Sequence, residues 1–203
     1  MTAPAPRSPL RRKLREQVAD SILDAAEEIA LELGVGGLTI SAVADRAGVA
    51  VGTLYNYFPG GEGILTALFR ARRNSLLPLI SSAATATKGL PFELRLRDFV
   101  RRLLIAFESH ERFLRIAVLV DRDGNKSKPR DTALMTRTVN ALEQIMREGA
   151  RRKLFAMRQA PVYARMMHGA LRSLYLWRMC SGAEPISVDG DLLVDTFLHG
   201  IMP

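Results

Sequence analysis

Between positions 53 and 57 the chain sets a threonine, two tyrosines and an asparagine: Thr53, Tyr55, Asn56 and Tyr57. Hydroxyls and carboxamides suit phosphate oxygens, and an asparagine amide can pair both of its groups with an adenine edge in a DNA major groove. Asn56 is therefore the residue best suited to reading a base. Val51 could offer only an apolar contact, for instance to a thymine methyl. Tyr57 has two readings, a ligand for phosphate or a ring packed beside Phe58, and one tyrosine can do both.

Other chemistries lack the residues they need. His110, His168 and His199 stand far apart and in no metal-ligand spacing. Asp121, Asp123 and Asn125 begin like a calcium loop, but Gly124 falls at the wrong place and the twelfth position is Thr132 instead of glutamate. Gly-x-Ser-x-Gly, a phosphate-binding glycine loop and a dinucleotide fingerprint are all missing from the sequence. The expectation is no enzyme, no metal and no cofactor. The single cysteine, Cys180, cannot form an intrachain disulfide, fits a reducing cytosol and reads as a packed side chain.

The elements that must position residues 53–57 are legible around them. Residues 39–58, TISAVADRAGVAVGTLYNYF, read as two short helices joined by an Ala47-Gly48-Val49 turn. Ile40, Val43, Ala44 and Ala47 make one apolar face of the first. Thr39 or Ser41 can cap it, because a side-chain oxygen there accepts an orphan backbone N–H. Gly48 allows the positive φ of a left-handed helix exit, and Val49 reads as a core plug. In the second helix Leu54 and Phe58, four apart, point inward and leave the hydrogen-bonding residues outside. That is the plan of a helix-turn-helix DNA reader.

The segment from about Val18 to Phe69 resembles the DNA-binding domain of the TetR family of one-component bacterial transcription regulators. The resemblance runs through ILDAAEEIALELGVGGLTISAVADRAGVAVGTLYNYF and EGILTALF, and AGV followed by GTLYNYF is its most characteristic part. It implies a sequence-specific regulator, more readily a ligand-responsive repressor, bound as a homodimer to a palindromic operator on double-stranded DNA in the bacterial cytoplasm, at the nucleoid. By resemblance Tyr55 and Tyr57 hold phosphates and Gly52 lets the backbone approach DNA. The DNA-contact set is Thr39, Ser41, Ala50, Val51, Gly52, Thr53, Tyr55, Asn56 and Tyr57, with Arg12 and Lys13 from an N-terminal arm. Two positions depart from the family pattern: Ala50 stands where many relatives have serine, and Gly61 where many have lysine. Both changes remove expected phosphate ligands. Gly60, Gly61 and Gly63 would also loosen that turn, at about 1 kcal/mol for an interior glycine such as Gly63.

Charge adds a constraint. The chain carries +8 over 203 residues, yet residues 1–80 hold nine Lys and Arg against eight Asp and Glu, so the reading end has a net of only +1. Its acids Asp20, Asp24, Glu28 and Glu32 recur every fourth residue and could face away from DNA, while its bases gather at Arg7, Arg11, Arg12, Lys13 and Arg15. Through Arg11, Arg12 and Lys13 the arm can follow the backbone or a minor groove, or it can be a solvated tail.

The whole chain reads as all-α with about nine helices. Residues 1–11 form a flexible basic arm, 12–60 a three-helix DNA-binding domain with its reader at 39–58, and 61–203 a larger helical effector-binding and dimerisation domain. The expected helices start near Arg12, Glu62, Pro91, Glu111, Asp131, Pro161 and Asp189, besides the two of the reader. The buried face of the first holds Val18, Ile22, Ala25, Ala26, Ile29 and Leu33, and Pro78 is expected to end or kink the fourth. The polar loop DRDGNKSKPR and Gly182–Pro185 separate helices. No apolar stretch is long enough for a membrane span.

The last helix carries Leu192, Leu193, Val194, Phe197, Leu198 and Ile201 on most of its sides, and its neighbour is similarly broad. Burial inside a monomer would explain this. The resemblance instead implies that the last two helices pair with their symmetry mates. It also implies an effector pocket among Phe99, Leu103, Phe107, Phe113, Met135, Tyr163, Met167, Leu171 and Trp177, each of which also reads as plain core. Arg101, Arg102, Arg115, Arg137, Arg165 and Arg172 suit either an anionic effector or a soluble surface. Two rival functions remain: an effector-free architectural or cell-division factor of the same fold, and an all-α ligand carrier or enzyme.

Overall fold

A computed structural model describes residues 9–122, 132–181 and 187–201; the side chains of Arg12, Arg122, Cys180 and Ile201, among others, are not described. The N-terminal residues 1–8, most of the polar loop after Asp121 and the linker at 182–186 lie outside the described residues, as does the packing expected of Cys180. Among the described residues there are nine α-helices and no strand. They are α1 (Pro9–Leu33), α2 (Ile40–Ala47), α3 (Val51–Tyr55), α4 (Gly61–Ala86), α5 (Phe92–Glu108), α6 (Glu111–Arg122), α7 (Thr132–Arg151), α8 (Ala160–Ser181) and α9 (Ser187–Ile201). Short 3₁₀ turns at Val35–Gly37 and Met157–Gln159 precede α2 and α8.

The described residues fall into two compact units. The first holds residues up to Ala71 and the part of α6 from Arg112 onward; the second holds Arg72–Glu111 and the residues from α7 onward. In the first, Ile22, Leu23, Ala26, Ile29 and Ala30 of α1, Val43, Ala44 and Leu54 of the reader and Ile64, Leu65 and Leu68 of α4 are all buried, and α2 packs on both α1 and α3. Phe69 meets Phe113 edge-on at 5.2 Å between ring centroids. In the second unit α7 packs chiefly on α8, and α5 on α9. Salt bridges fasten the latter pair: Arg97 to Asp195 and Asp191, and Arg101 to Asp191 at 3.0 Å.

Three sequence expectations need correction. Helix α1 starts at Pro9, not Arg12, because a proline suits a first helical turn, where its missing N–H costs nothing. Leu33 is 65% exposed, since it ends α1 just where the chain turns back, whereas Leu23 and Ala30 are buried and belong to the buried face. Pro78 does not end α4, which continues to Ala86. The ladder bond that Pro78 cannot make belongs to the carbonyl four residues back, on Asn74; both residues are exposed, so water can serve that carbonyl. Buried Leu76, Ile80 and Ala83 meanwhile hold the helix to the core on either side.

Candidate nucleic-acid interface

The turn between α2 and α3 is built from local bonds. Thr39 sits in extended backbone with its Oγ1 accepting from the Ala42 N–H at 3.2 Å, so Thr39 and not Ser41 is the cap. Gly48 leaves the helix at φ 66°, ψ 32°, the left-handed conformation that favours glycine. The Val49 N–H closes the exit on the Ala44 carbonyl at 3.0 Å. Helix α3 spans only Val51–Tyr55; Asn56 is its C-cap and the chain continues as a turn to Phe58. Leu54 and Phe58 are buried as the spacing predicts, which turns Val51, Gly52, Tyr55 and Asn56 outward.

The first unit also explains the acid stripe of α1. Arg46 of α2 donates to Glu32 at 2.7 and 3.0 Å and to Glu28 at 3.2 Å, and Arg112 of α6 lies 3.5 Å from Glu28. The hydrogen bond from Arg46 holds the Glu32 carboxyl below its ordinary value, and the same pair raises Arg46. Two of the four acids thus pin the supporting helix instead of facing solvent alone.

On another side of α1 a groove of about 570 Å³ is lined by Arg11, Leu14, Arg15, Val18, Thr53, Asn56 and Tyr57. The Arg15 Nη2 donates to the Asn56 carbonyl at 3.3 Å, and its guanidinium carbon lies 5.2 Å from the Tyr57 ring centroid. Tyr57 is half-buried and its ring is tilted toward Phe58 at 6.2 Å, so it has the packed ring that one of its two readings offered. Of the sequence-derived contact set, Ser41, Ala50, Val51, Gly52, Tyr55 and Asn56 are exposed, Thr53 lines the groove and Lys13 is exposed on α1. Thr39 is exposed but uses its hydroxyl for the cap. Arg15 was not among the sequence-derived contacts; its spacing of four from Arg11 on one helix face was the signal that could have found it.

The proposed effector lining is scattered. Phe99, Leu103, Met167 and Leu171 are fully buried core of the second unit. Phe107 stacks edge-on with Tyr175 at 5.8 Å, and Tyr163 with Phe155 at 5.0 Å and Phe197 at 5.7 Å. Met135 and Trp177 are exposed, and Phe113 belongs to the first unit. A separate groove of about 420 Å³ is lined by Leu77, Thr132, Ala133, Thr136, Arg137 and Asn140. Several of the second unit's arginines are engaged: Arg101 with Asp191, Arg102 with Asp98 at 2.9 Å, and Arg165 with the Pro161 carbonyl at 2.9 Å. Among the described residues no cluster of His, Cys, Asp and Glu could hold a metal, and no helix is long and apolar enough to cross a membrane.

An all-α chain with a glycine-hinged helix pair and an exposed hydroxyl-and-amide face defines a helix-turn-helix protein. A sequence profile described as "Bacterial regulatory proteins, tetR family" matches residues 22–68. That segment, the reader with the helices on either side of it, is the part of the chain that resembles the family. It is 41% identical over 73 residues to the Fatty acid metabolism regulator protein of Bacillus subtilis (strain 168), covering 34% of this chain and 38% of that one. It is 39% identical over 82 residues to the HTH-type transcriptional repressor KstR of Mycobacterium tuberculosis, covering 40% of this chain and 36% of the relative. The aligned region therefore spans less than two fifths of either relative. The fold extends the likeness along the chain. A TetR family transcriptional regulator, PfmR of Thermus thermophilus, has a TM-score of 0.72 at 21% identity, over 90% of this chain and 99% of that one. The FadR of Bacillus subtilis, solved with stearoyl-CoA, has 0.70 at 20% identity, over 90% and 98%.

Proposed function

We propose that the chain is a sequence-specific DNA-binding regulator, a ligand-responsive repressor that acts as a homodimer on a palindromic operator. The observation that carries this reading is the outward face of α3, set by buried Leu54 and Phe58 and by the Gly48 exit, beside the basic groove of α1. Asn56 reads a base edge, Tyr55 and Thr53 take phosphates, and Lys13, with Arg12, follows the backbone. Residues 12–60 act as the reading domain and 61–203 as the effector-binding and dimerisation domain.

Dimerisation is supported by an uncovered apolar face. Val162, Met166 and Trp177, at helical spacing on α8, are 55–57% exposed, and Leu192 of α9 is 66% exposed. The other side of both helices is already occupied by buried Ala164, Met167, Leu171, Val194 and Leu198. A second copy on that face would give twofold symmetry, which a palindrome mirrors.

An effector releases DNA only by its differential affinity for two arrangements of the protein. The relatives in fatty-acid regulation and the FadR complex put long-chain acyl-CoA first in the panel to try. Selection of bound DNA from a random pool tests the reading as a whole. A palindrome whose binding survives moderate salt supports it, because non-specific phosphate binding falls steeply with salt. Enrichment of no sequence by the purified chain would defeat it.

A further inference from the structure

Helix α3 is too short to hold its own direction. Five residues make barely more than one turn, nucleation of so short a helix is unfavourable, and its N-cap Ala50 supplies no side-chain bond. Leu54 and Phe58 anchor it from below. They fix its depth, but the orientation of residues 55–57 about that anchor needs a contact from outside.

Arg15 makes that contact twice. Its guanidinium donates to the carbonyl of Asn56, the residue that caps α3, and lies over the ring of Tyr57, the next residue along. A planar fork can do both at once, whereas an ammonium of the same charge has neither the plane nor the second arm. Phosphate attraction alone would need only the charge. The geometry asks for the shape.

We infer that Arg15 is a positioning residue for base recognition: it clamps Asn56 and Tyr57 at the angle from which Asn56 meets a base edge, and so sets operator selectivity. The inference rests on α3 being the DNA-contacting helix. Its test therefore begins with the wild-type full-length chain and a random DNA pool, followed by the ratio of affinities for the selected operator and for the operator changed at the base pair that Asn56→Ala identifies.

Arg15→Lys should lower that ratio roughly two- to five-fold, the range of the exposed cation–π contact that an ammonium gives up when it keeps the Asn56 carbonyl, while leaving the salt dependence of binding unchanged. Tyr57→Leu should lower it similarly, Tyr57→Phe should keep it, and the Arg15→Lys/Tyr57→Leu double variant should be no worse than either single one. These variants read the same contact from both sides, so a folding failure of one leaves the other to decide. If Arg15→Lys keeps the full ratio and Arg15→Gln only flattens the salt slope by about 0.9, Arg15 is a phosphate ligand and the inference is overturned. Additive effects of the two substitutions would overturn it too. A wild-type chain that selects no sequence overturns the underlying reading and takes this inference with it, whereas a selected palindrome with an indifferent Arg15→Lys sinks the inference alone.

Discussion

Lysine at position 61 would install the phosphate ligand that the family resemblance implies there, and the structure sets a cost against that gain. A Cβ built on Gly61 falls 2.2 Å from the Leu38 carbonyl oxygen. Ordinary contact begins roughly 1 Å farther out, and the obstacle is backbone, not the end of a flexible side chain. Leu38 is buried and leads directly into Thr39, whose hydroxyl caps α2. Relieving the clash therefore means moving the start of the supporting helix or the start of α4. Overpacking of this kind costs about 1–3 kcal/mol. Against it stands the helix propensity gained on leaving glycine, at most about 1 kcal/mol in a helix interior and less at a first residue. The clash wins.

Gly61→Ala, which adds the Cβ without the charge, should accordingly lower the thermal midpoint by about 2–8 °C for a chain of this length. Gly61→Lys should lose the same stability while steepening the salt dependence of operator binding by about 0.9 if its ammonium reaches a phosphate. Thermal unfolding followed by circular dichroism reads the first effect, and binding isotherms at several salt concentrations read the second. Gly52→Ala is the control, since nothing lies within 4 Å of a Cβ there and the fold should tolerate it. A Gly61→Ala chain as stable as the parent would show that the Leu38 carbonyl yields freely and that close approach does not explain the glycine.

Three other outcomes follow from the second unit. Arg95 is 3% exposed and paired with Glu148, so Glu148→Ala strands a buried guanidinium and should cost about 3–5 kcal/mol in urea unfolding, while Arg95→Met/Glu148→Leu should recover most of it. The hydrogen bond from Arg97 holds the Asp195 carboxyl below its ordinary 3.8, so the pair contributes fully above that value and the contribution is lost as pH falls through the lowered one. Asp195→Asn should then be less stable than the parent at neutral pH and converge with it in acid, and equal gaps at both ends in pH-dependent unfolding would refute the assignment. Leu192→Glu puts a charge on the uncovered apolar face of α9 and should shift the chain toward monomer in sedimentation; an unchanged mass would place any dimer contact elsewhere.

The reader was legible because its determinants are neighbours in sequence. Thr39 bonds three residues ahead, Gly48 turns the helix that precedes it, and Leu54 and Phe58 mark the buried side by spacing alone. The all-α class followed from the same periodicity, repeated along the chain. Local rules misled where the surroundings outvoted them. Pro78 reads as a stop or a kink, and of these the stop is overturned, because buried apolar residues on both sides keep α4 continuous past it. Leu33 fits the apolar period of α1 but falls at the turn, where there is no core to receive it. The all-round apolarity of α9 likewise resolves into a buried side with Val194 and Leu198 and an exposed one with Leu192, a division no single helix can announce.

Pairings across long separations were invisible for a different reason: each partner alone has an ordinary explanation. Arg15 belonged to a run of bases that read as an arm, and Asn56 lies 41 residues away. Arg97 and Asp195 are 98 residues apart, and nothing local to either one announces the pair. Glu28 and Glu32 looked like a stripe turned from DNA, and only Arg46 in the supporting helix that follows shows that they brace it. The consequence bears on specificity among chains that share this reader. If the outer face of α3 alone set the operator, chains with the same GTLYNYF segment would share a preference; if the clamp from α1 sets its angle, a change as mild as arginine to lysine at position 15 would alter it. Exchanging residues 9–18 between two chains with identical readers separates these cases: selectivity that travels with α1 requires the clamp, and selectivity that stays with α3 removes the need for it.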